Sequence, residues 1–221
     1  ANEFKIPCIG GKVSLYNETP SGPIKPTPLI GVLGLIDKKP LVSQKIQSGD
    51  NLVIIGDTQD ELGGSEYFEY IHKFIGGNCP TVDFKESKKN MKSVLDSIKQ
   101  QIPKSVHDCS KGGLAVAVAE LCMTNQIGCN VLLNKVPGEK LTDDRILFSE
   151  SHSRYLLTID EKNIKKLESI LKKNKVSFQI IGKFGGKKIQ FTNGTKSIIT
   201  LGVDKAQKTW LNSLKNLVLH S

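Results

Sequence analysis

Four short segments of the chain carry residue types that bind anions or move protons: residues 10–19, 56–67, 107–114 and 148–154. The first three each contain a glycine pair beside a strand-like or helix-like run. Glycine lets backbone N–H groups approach a phosphate with no Cβ in the way. Taken alone, the glycine pairs of the first and second segments favour ordinary tight turns, with phosphate binding as the alternative.

The first segment adds two polar side chains to its glycine pair. Lys12 offers a point charge and Ser14 a hydroxyl, directly after Gly10 and Gly11, and both groups suit a phosphate-bearing ligand. Glycine-rich hairpins are common, so a purely structural hairpin is the other interpretation.

The second and third segments each lead from a strand-like run into a helix. A helix is predicted to begin after Ser65, whose hydroxyl suits an N-cap, and helix N-termini attract anions. In the third segment, His107 and Asp108 suggest acid–base chemistry. Neighbouring residues of an extended segment point to opposite faces, so a structural histidine is favoured over a direct relay. Nothing marks Cys109 as an activated nucleophile.

Polar residues of the fourth segment lie between apolar neighbours. Glu150, Ser151 and His152 fall between Leu147 and Tyr155, and buried polar groups need hydrogen-bond partners. The cluster either connects parts of the domain internally or faces a ligand.

Hydrophobic periodicity predicts the elements that position these segments. Strands are predicted at residues 5–9, 13–16, 29–36, 52–55, 129–133, 153–159, 176–182, 188–192 and 197–201. Helices are predicted at residues 65–75, 90–102, 114–123, 163–173 and 204–217. The continuous apolar run at 29–36 is typical of a buried strand. The mixture predicts an α/β or α+β fold.

The composition is that of a folded protein, with 38% hydrophobic and 24% charged residues in a chain of 221. This balance excludes disorder, collagen and coiled coil. The longest apolar stretches reach about half of the ~20 residues that a membrane span needs. The absence of a Walker A motif, a Rossmann fingerprint and a His-Glu-x-x-His motif excludes the commonest nucleotide and metalloprotease signatures.

The formal net charge of +9 is concentrated at one end of the chain. Residues 161–221 carry 13 Lys+Arg against 3 Asp+Glu, whereas residues 61–160 carry 12 against 13. Proteins that bind single strands interleave aromatic residues with basic ones, but Phe178, Phe184 and Phe191 fall in strand-like runs. We therefore expect a solvated lysine surface, with no nucleic acid and no membrane as partner.

Five cysteines, an odd number without a Cys-x-x-Cys pair, indicate neither a disulfide framework nor a zinc site. Free cysteines suit a reducing compartment, so a cytoplasmic location is expected. The chain begins without Met and on a strand-like run. This leads to the hypothesis that it is the C-terminal piece of a longer protein.

Taken in order, the segments resemble one enzyme family. Gly-Gly-Lys-Val-Ser-Leu-Tyr-Asn-Glu-Thr at 10–19 is followed by Pro-Thr-Pro-Leu-Ile-Gly-Val-Leu-Gly-Leu-Ile at 26–36, Glu-Leu-Gly-Gly-Ser-Glu-Tyr at 61–67, His-Asp-Cys-Ser-Lys-Gly-Gly-Leu at 107–114 and Leu-Phe-Ser-Glu-Ser-His-Ser-Arg at 147–154. Over nearly its whole length the chain is similar to the C-terminal part of the synthetase subunit in the phosphoribosylformylglycinamidine synthase family. That family belongs to the aminoimidazole ribonucleotide synthetase-like superfamily.

The resemblance implies an α+β fold. Residues 45–221 would form the superfamily's C-terminal domain, a mixed sheet flanked by helices. Residues 1–44 would supply the closing strands of an N-type domain.

The resemblance also implies an activity. The family's ligase uses ATP and magnesium to convert formylglycinamide ribonucleotide and glutamine into formylglycinamidine ribonucleotide in purine biosynthesis. The implied partners are the N-terminal part of the same protein, a glutaminase subunit and a small bridging subunit. Because the family's main catalytic residues belong to that N-terminal part, we expect no catalytic residue here and no activity of the chain alone.

Site residues carry over only in part. The resemblance implies ATP contacts at Gly11 and Lys12 and a substrate contact at Ser14. Lys12 stands where the family commonly has an asparagine that ligates magnesium. A lysine ammonium has no lone pair for a metal, so no metal ligand is expected and Lys12 is expected to contact a phosphate.

The fourth segment implies a second site. By the family's pseudosymmetry, Glu150, Ser151 and His152 would line an auxiliary nucleotide site that is degenerate or structural. In the third segment, Lys111 stands where the family usually has Asp.

Two other functions stay open at this point. One is another ATP-dependent synthetase of the superfamily, such as a selenophosphate synthetase or a thiamine-monophosphate kinase, against which the Ser-Leu-Tyr-Asn-Glu run at 14–18 argues. The other is a non-enzymatic basic binding module that uses the C-terminal lysines.

Overall fold

The chain separates into two compact units, Ala1–Lys39 and Pro40–Ser221. A computed structural model describes residues 1–24, 27–36 and 41–219. The predicted domain boundary at 44–45 stays a prediction. No helix in the described ranges combines the length and apolar character that crossing a bilayer requires.

The first unit has little regular structure. A 3₁₀ turn covers Asn2–Phe4, and β1 (Glu18–Thr19) pairs antiparallel with β2 (Gly22–Pro23). The strands predicted at 5–9, 13–16 and 29–36 are wrong, because the structure assigns no strand to these described residues. The expected burial of the last run is also wrong, since Leu33 is 90% exposed. A strand needs a hydrogen-bonding neighbour, and the described residues of this unit supply one only to β1 and β2.

The described residues of the second unit contain seven strands, six α-helices and two 3₁₀ turns, Leu133–Lys135 and Glu161–Asn163. The strands are β3 (Asn51–Ile55), β4 (Ser105–Asp108), β5 (Cys129–Leu132), β6 (Tyr155–Ile159), β7 (Phe178–Phe184), β8 (Lys188–Asn193) and β9 (Lys196–Gly202). The helices are α1 (Glu66–Tyr70), α2 (Phe84–Lys99), α3 (Gly113–Asn125), α4 (Asp143–Phe148), α5 (Ile164–Lys173) and α6 (Val203–Leu219).

The seven strands form one mixed sheet in the order β4-β6-β3-β7-β5-β8-β9. Only β5 and β8 are parallel neighbours, and the other pairs are antiparallel. The sheet with helices beside it confirms the predicted α+β class.

Helices cover both faces of the sheet. On one face, Leu52 and Ile54 of β3 join a cluster with Leu114 and Val118 of α3. On the other face, Val53 and Ile55 join Val94 of α2 together with Leu167 and Leu171 of α5. Because successive side chains of a strand point to opposite faces, burial on both sides explains the unbroken apolar run of β3.

The periodicity predictions hold for most elements of this unit but miss β4 and α4. Helix α2 begins six residues before its predicted start, because the Asp83 side chain accepts hydrogen bonds from Lys85 N and Glu86 N and caps the helix there. Helix α1 ends at Tyr70, earlier than predicted. The six-residue helix α4 buries only Ile146 and Leu147, too few to create a periodic pattern.

Candidate functional site

The structure places the first segment in the first unit and the other three in the second. Lys12 and Ser14 are exposed, and neither forms a hydrogen bond or ion pair with the described residues. A Cβ added at Gly11 would meet no atom within 4 Å. The first segment is therefore open, and contacts with described residues do not hold the side chains of Lys12 and Ser14 in place.

The other three segments meet at the carboxylate of Glu150. Its Oε1 accepts hydrogen bonds from Glu66 N at 3.1 Å and from Gly112 N at 2.8 Å. Its backbone N–H donates to Glu61 O at 3.0 Å. The carboxylate thus takes the position that an anion would occupy at the start of α1 and just before α3. Glu150 connects the three segments to one another.

The serines of the fourth segment face the protein interior. Ser151 Oγ accepts from Gln59 N at 3.1 Å, and Ser149 Oγ accepts from Glu61 N at 3.3 Å. Both serines are buried, with 2% and 0% exposure. These hydroxyls accept hydrogen bonds from backbone N–H groups of the loop after β3.

Arg154 is the buried centre of this region, which the sequence did not single out as a site residue. Its guanidinium donates to Ser151 O at 3.1 Å, to Thr58 Oγ at 3.0 Å and to Ser149 O. Burial lowers the pKa of the guanidinium below its usual value. The sequence signal for Arg154 was the polar run between apolar residues. The acceptors of its hydrogen bonds come from two separate stretches of the chain.

A first depression, the inner cleft, opens beside the end of β3. It holds about 100 Å³ and is lined by Gly56, Asp57, Gln59, Glu61, Thr81, Asp83, Glu86, Ser87, Asn90, Ser151, His152, Ser153 and Ser177. Four carboxylates in this lining make the cleft acidic. Despite them, the described residues contain no group of three or more His, Cys, Asp or Glu side chains arranged to hold a metal ion.

The wall of the inner cleft depends on a close backbone approach at Gly56. This residue has φ +91°, and a Cβ there would lie 2.8 Å from Ser153 O. Ser153 itself has φ +61°. Asn90 Nδ2 donates to Ser153 O at 3.0 Å, and the hydroxyls of Ser87 and Ser153 are hydrogen-bonded. Contacts from α2 therefore hold Ser153 in a conformation that a non-glycine residue rarely adopts.

A second depression, the outer cleft, lies on the other side of His152 and Ser153. It holds about 390 Å³, and its lining includes Ser110, Lys111, Glu150 and Arg154. Lys111 Nζ lies 3.0 Å from Glu66 Oε1, and this bond raises the pKa of the lysine. His152 is exposed and borders both clefts. The outer cleft thus combines two cationic side chains, Lys111 and Arg154, with the carboxylates of Asp108 and Glu150 and an exposed histidine.

His107 does not join either cleft. Its Nδ1 lies 2.6 Å from Asp108 O, and its Nε2 lies 3.3 Å from Glu120 Oε2 on α3. The Asp108 carboxylate is 3.9 Å from Nδ1. This arrangement agrees with the structural role favoured for His107.

The five cysteines are all free. Cys8 and Cys79 are exposed, and Cys109, Cys122 and Cys129 are buried. Burial raises the pKa of the Cys109 thiol to about 11, so it is not an activated nucleophile.

A family model described as AIR synthase related protein, C-terminal domain, matches residues 47–192. The phosphoribosylformylglycinamidine synthase subunit PurL of Methanocaldococcus jannaschii is 38% identical, with 99% of this chain and 30% of the relative covered. PurL of Thermococcus sibiricus is 35% identical over the same shares of the two chains. The chain thus spans about 30% of the length of these curated relatives.

Solved structures share the fold. Thermotoga maritima PurL complexed with FGAR superposes with a TM-score of 0.69 at 18% identity, covering 76% of this chain and 29% of that one. The same protein complexed with ATP gives 0.63 at 19% identity, covering 76% and 27%. The family model matches most of the chain, and the shared fold agrees with that match. The chain belongs to the family of AIR synthase related proteins and carries their C-terminal domain.

Proposed function

We propose that the chain is the C-terminal portion of an ATP-dependent ligase that converts formylglycinamide ribonucleotide, glutamine and ATP into formylglycinamidine ribonucleotide. The observation that carries the proposal is the 38% identity to PurL of M. jannaschii across 99% of the chain. Binding of FGAR and ATP by T. maritima PurL supports the same substrates for this chain. The reaction belongs to purine biosynthesis, in the cytoplasm.

The first segment would supply the ligand contacts of this chain. The open backbone at Gly11 admits a nucleotide phosphate, Lys12 neutralises phosphate charge, and the Ser14 hydroxyl bonds to the substrate. ATP, when bound, supplies the phosphoryl group that activates an amide oxygen. Phosphoryl transfer depends mainly on positioning and charge stabilisation, and these are the tasks assigned to the three residues.

Magnesium does not fit at this point of the chain. The ammonium of Lys12 has no lone pair to donate to a metal, and the described residues offer no cluster of three ligands. We therefore assign Lys12 to a phosphate oxygen.

Catalysis would require the N-terminal part of the same protein, which supplies the reacting groups, and ammonia from a glutaminase subunit joined through a small bridging subunit. The test compares the 221-residue chain with the full-length protein in an amidine-formation assay with ammonia. We expect no turnover by the chain alone and full turnover by the longer protein. Lys12→Ala in the full-length protein should raise the KM for ATP or substrate about tenfold, and unchanged kinetics would reject the role of Lys12.

We further propose that the outer cleft is an auxiliary nucleotide site. Glu150 lines this cleft and is held by hydrogen bonds from Glu66 N and Gly112 N. Ser151 lines the neighbouring inner cleft and bonds to Gln59 N, and the exposed His152, which borders both clefts, contacts the ligand. ADP binding to the chain is measured by calorimetry. His152→Ala should weaken it about tenfold, while His72→Ala, an exposed histidine of the same unit outside both clefts, should not. Absence of ADP binding, or equal losses in both variants, contradicts this site.

A further inference from the structure

A groove flanked by two rows of lysines runs between α2 and α5. Lys92 and Lys99 of α2 and Lys173 of α5 line it, and its volume is about 210 Å³. Lys166, seven residues before Lys173 in the sequence, continues the row on α5. All four lysines are exposed.

The two rows are held in place by the core beneath them. Val94 of α2 and Leu167 and Leu171 of α5 pack in one cluster against the sheet. Asn174 Nδ2 donates to Ser93 Oγ at 2.9 Å and ties the end of α5 to α2. The spacing between the rows is therefore fixed by buried contacts and does not depend on the lysine side chains.

Within each row the lysines lie seven residues apart, at 92 and 99 and at 166 and 173. Seven residues span about 10.5 Å of helix axis. The four ammonium groups therefore form two pairs with the same spacing, on either side of one groove.

The positive charge of this surface is largely unneutralised. Together α2 and α5 contain nine lysines and three carboxylates. Lys92 is paired with Asp96, the one carboxylate in the groove lining. Among the residues that the structure describes, Lys99, Lys166 and Lys173 have no carboxylate within 4.0 Å. Such a surface attracts polyanions over distances of about a Debye length.

We propose that this groove binds nucleic acid through the phosphates of one strand, without reading bases. Phosphate binding requires cations at suitable spacing and little else. An acidic protein would need apolar or aromatic anchors in pockets, and the groove lining offers one apolar side chain, Ile170. A lipid surface would need apolar residues to insert.

The sequence led to the opposite expectation, because the lysines of the groove come from two distant parts of the chain. Those of α2 lie within residues 61–160, where charges nearly cancel, and those of α5 lie in the basic end. Folding places both on one face of the sheet. The groove is a different surface from the clefts, and nucleic-acid binding there does not depend on the ligase activity.

Binding of a fluorescein-labelled mixed-sequence DNA duplex to the 221-residue chain is measured by anisotropy against salt. Four phosphate contacts predict a slope of roughly −3.6 in log K against log salt, and a loss of about 100-fold between roughly 50 and 200 mM. Changing Lys92, Lys99, Lys166 and Lys173 together to Gln should abolish this binding and its salt slope. A duplex of unrelated sequence should bind equally well.

The matched control changes four exposed lysines elsewhere, Lys140, Lys188, Lys205 and Lys208, to Gln, with the same loss of charge. It should retain most of the affinity, and circular dichroism should show both variants folded. Three outcomes overturn the proposal: no binding to DNA, an equal loss in the control, or tighter binding of poly-L-glutamate than of DNA. The last would assign the groove to an acidic protein instead.

Discussion

The first and fourth segments both carry polar residues in a family pattern, yet their surroundings differ. Lys12 and Ser14 are exposed and form no contacts with described side chains, whereas Ser149, Ser151 and Arg154 are almost fully buried. In the fourth segment, hydrogen bonds to Thr58, Gln59 and Glu61 join it to the loop after β3. The polar side chains of the first segment therefore lack partners among the described residues, whereas those of the fourth segment stabilise the domain that presents the clefts.

The largest effect that would distinguish the two segments is expected at Arg154. Changing Arg154 to Met removes three buried hydrogen bonds and leaves their acceptors unsatisfied, which should cost about 4 kcal/mol of unfolding free energy. Urea unfolding measures the loss. Lys12→Met in the first segment should change it by less than about 0.5 kcal/mol. Equal losses at the two positions would remove the contrast between the segments.

A pair of glycines tests the same contrast at the backbone. Gly113 has φ +64°, and a Cβ there would lie 2.5 Å from Ser149 O, whereas Gly11 has open space around it. Gly113→Ala should therefore destabilise the chain by about 2–3 kcal/mol, and Gly11→Ala should be nearly neutral. Thermal melts of both variants measure the two losses of stability. A neutral Gly113→Ala would mean that α3 can shift away from the fourth segment.

Glu150 should show a smaller effect, because its acceptor role can be partly replaced. Glu150→Ala removes the carboxylate oxygen that accepts hydrogen bonds from Glu66 N and Gly112 N. The free energy of unfolding should fall by about 1–2 kcal/mol. Glu150→Gln keeps a side-chain oxygen and should recover part of this, as measured by denaturant midpoint. If both variants match the wild type in stability, the residue is not a structural connection.

The smallest effect concerns pH at the edge of the inner cleft. Backbone hydrogen bonding from Glu86 N, with a second bond from Lys85 N, lowers the pKa of Asp83 below 3.8. A lowered folded-state pKa gives stability that is present above pH 3.8 and lost as the pH falls through the lowered value. Asp83→Asn keeps the cap but does not titrate. The advantage of wild type over this variant, measured by urea unfolding, should be present at neutral pH and vanish in acid. If wild type stays more stable than Asp83→Asn in acid, the extra stability does not come from the carboxylate charge.

Sequence periodicity identified the elements whose side chains meet partners within the second unit. Strand β3 and helices α3 and α5 are read from their apolar patterns because the sheet and helices bury those faces. The same kind of pattern at 29–36 gave a wrong strand, since an apolar run indicates burial only when another surface covers it. Helix α4 was missed because six residues carry too little pattern.

The sequence by itself determined the family, the α+β class and the segments that line the clefts, because these depend on local residue types in a fixed order. The tertiary structure decided which polar residues are used up by the fold. Glu150 and Ser151 bond to backbone groups brought from loops about 40 to 90 residues away in sequence, and no local pattern records such partners. It also decided where charge accumulates. The lysines of α2 and α5 adjoin only because both helices pack on one face of the sheet, and a charge count along the chain cannot register that.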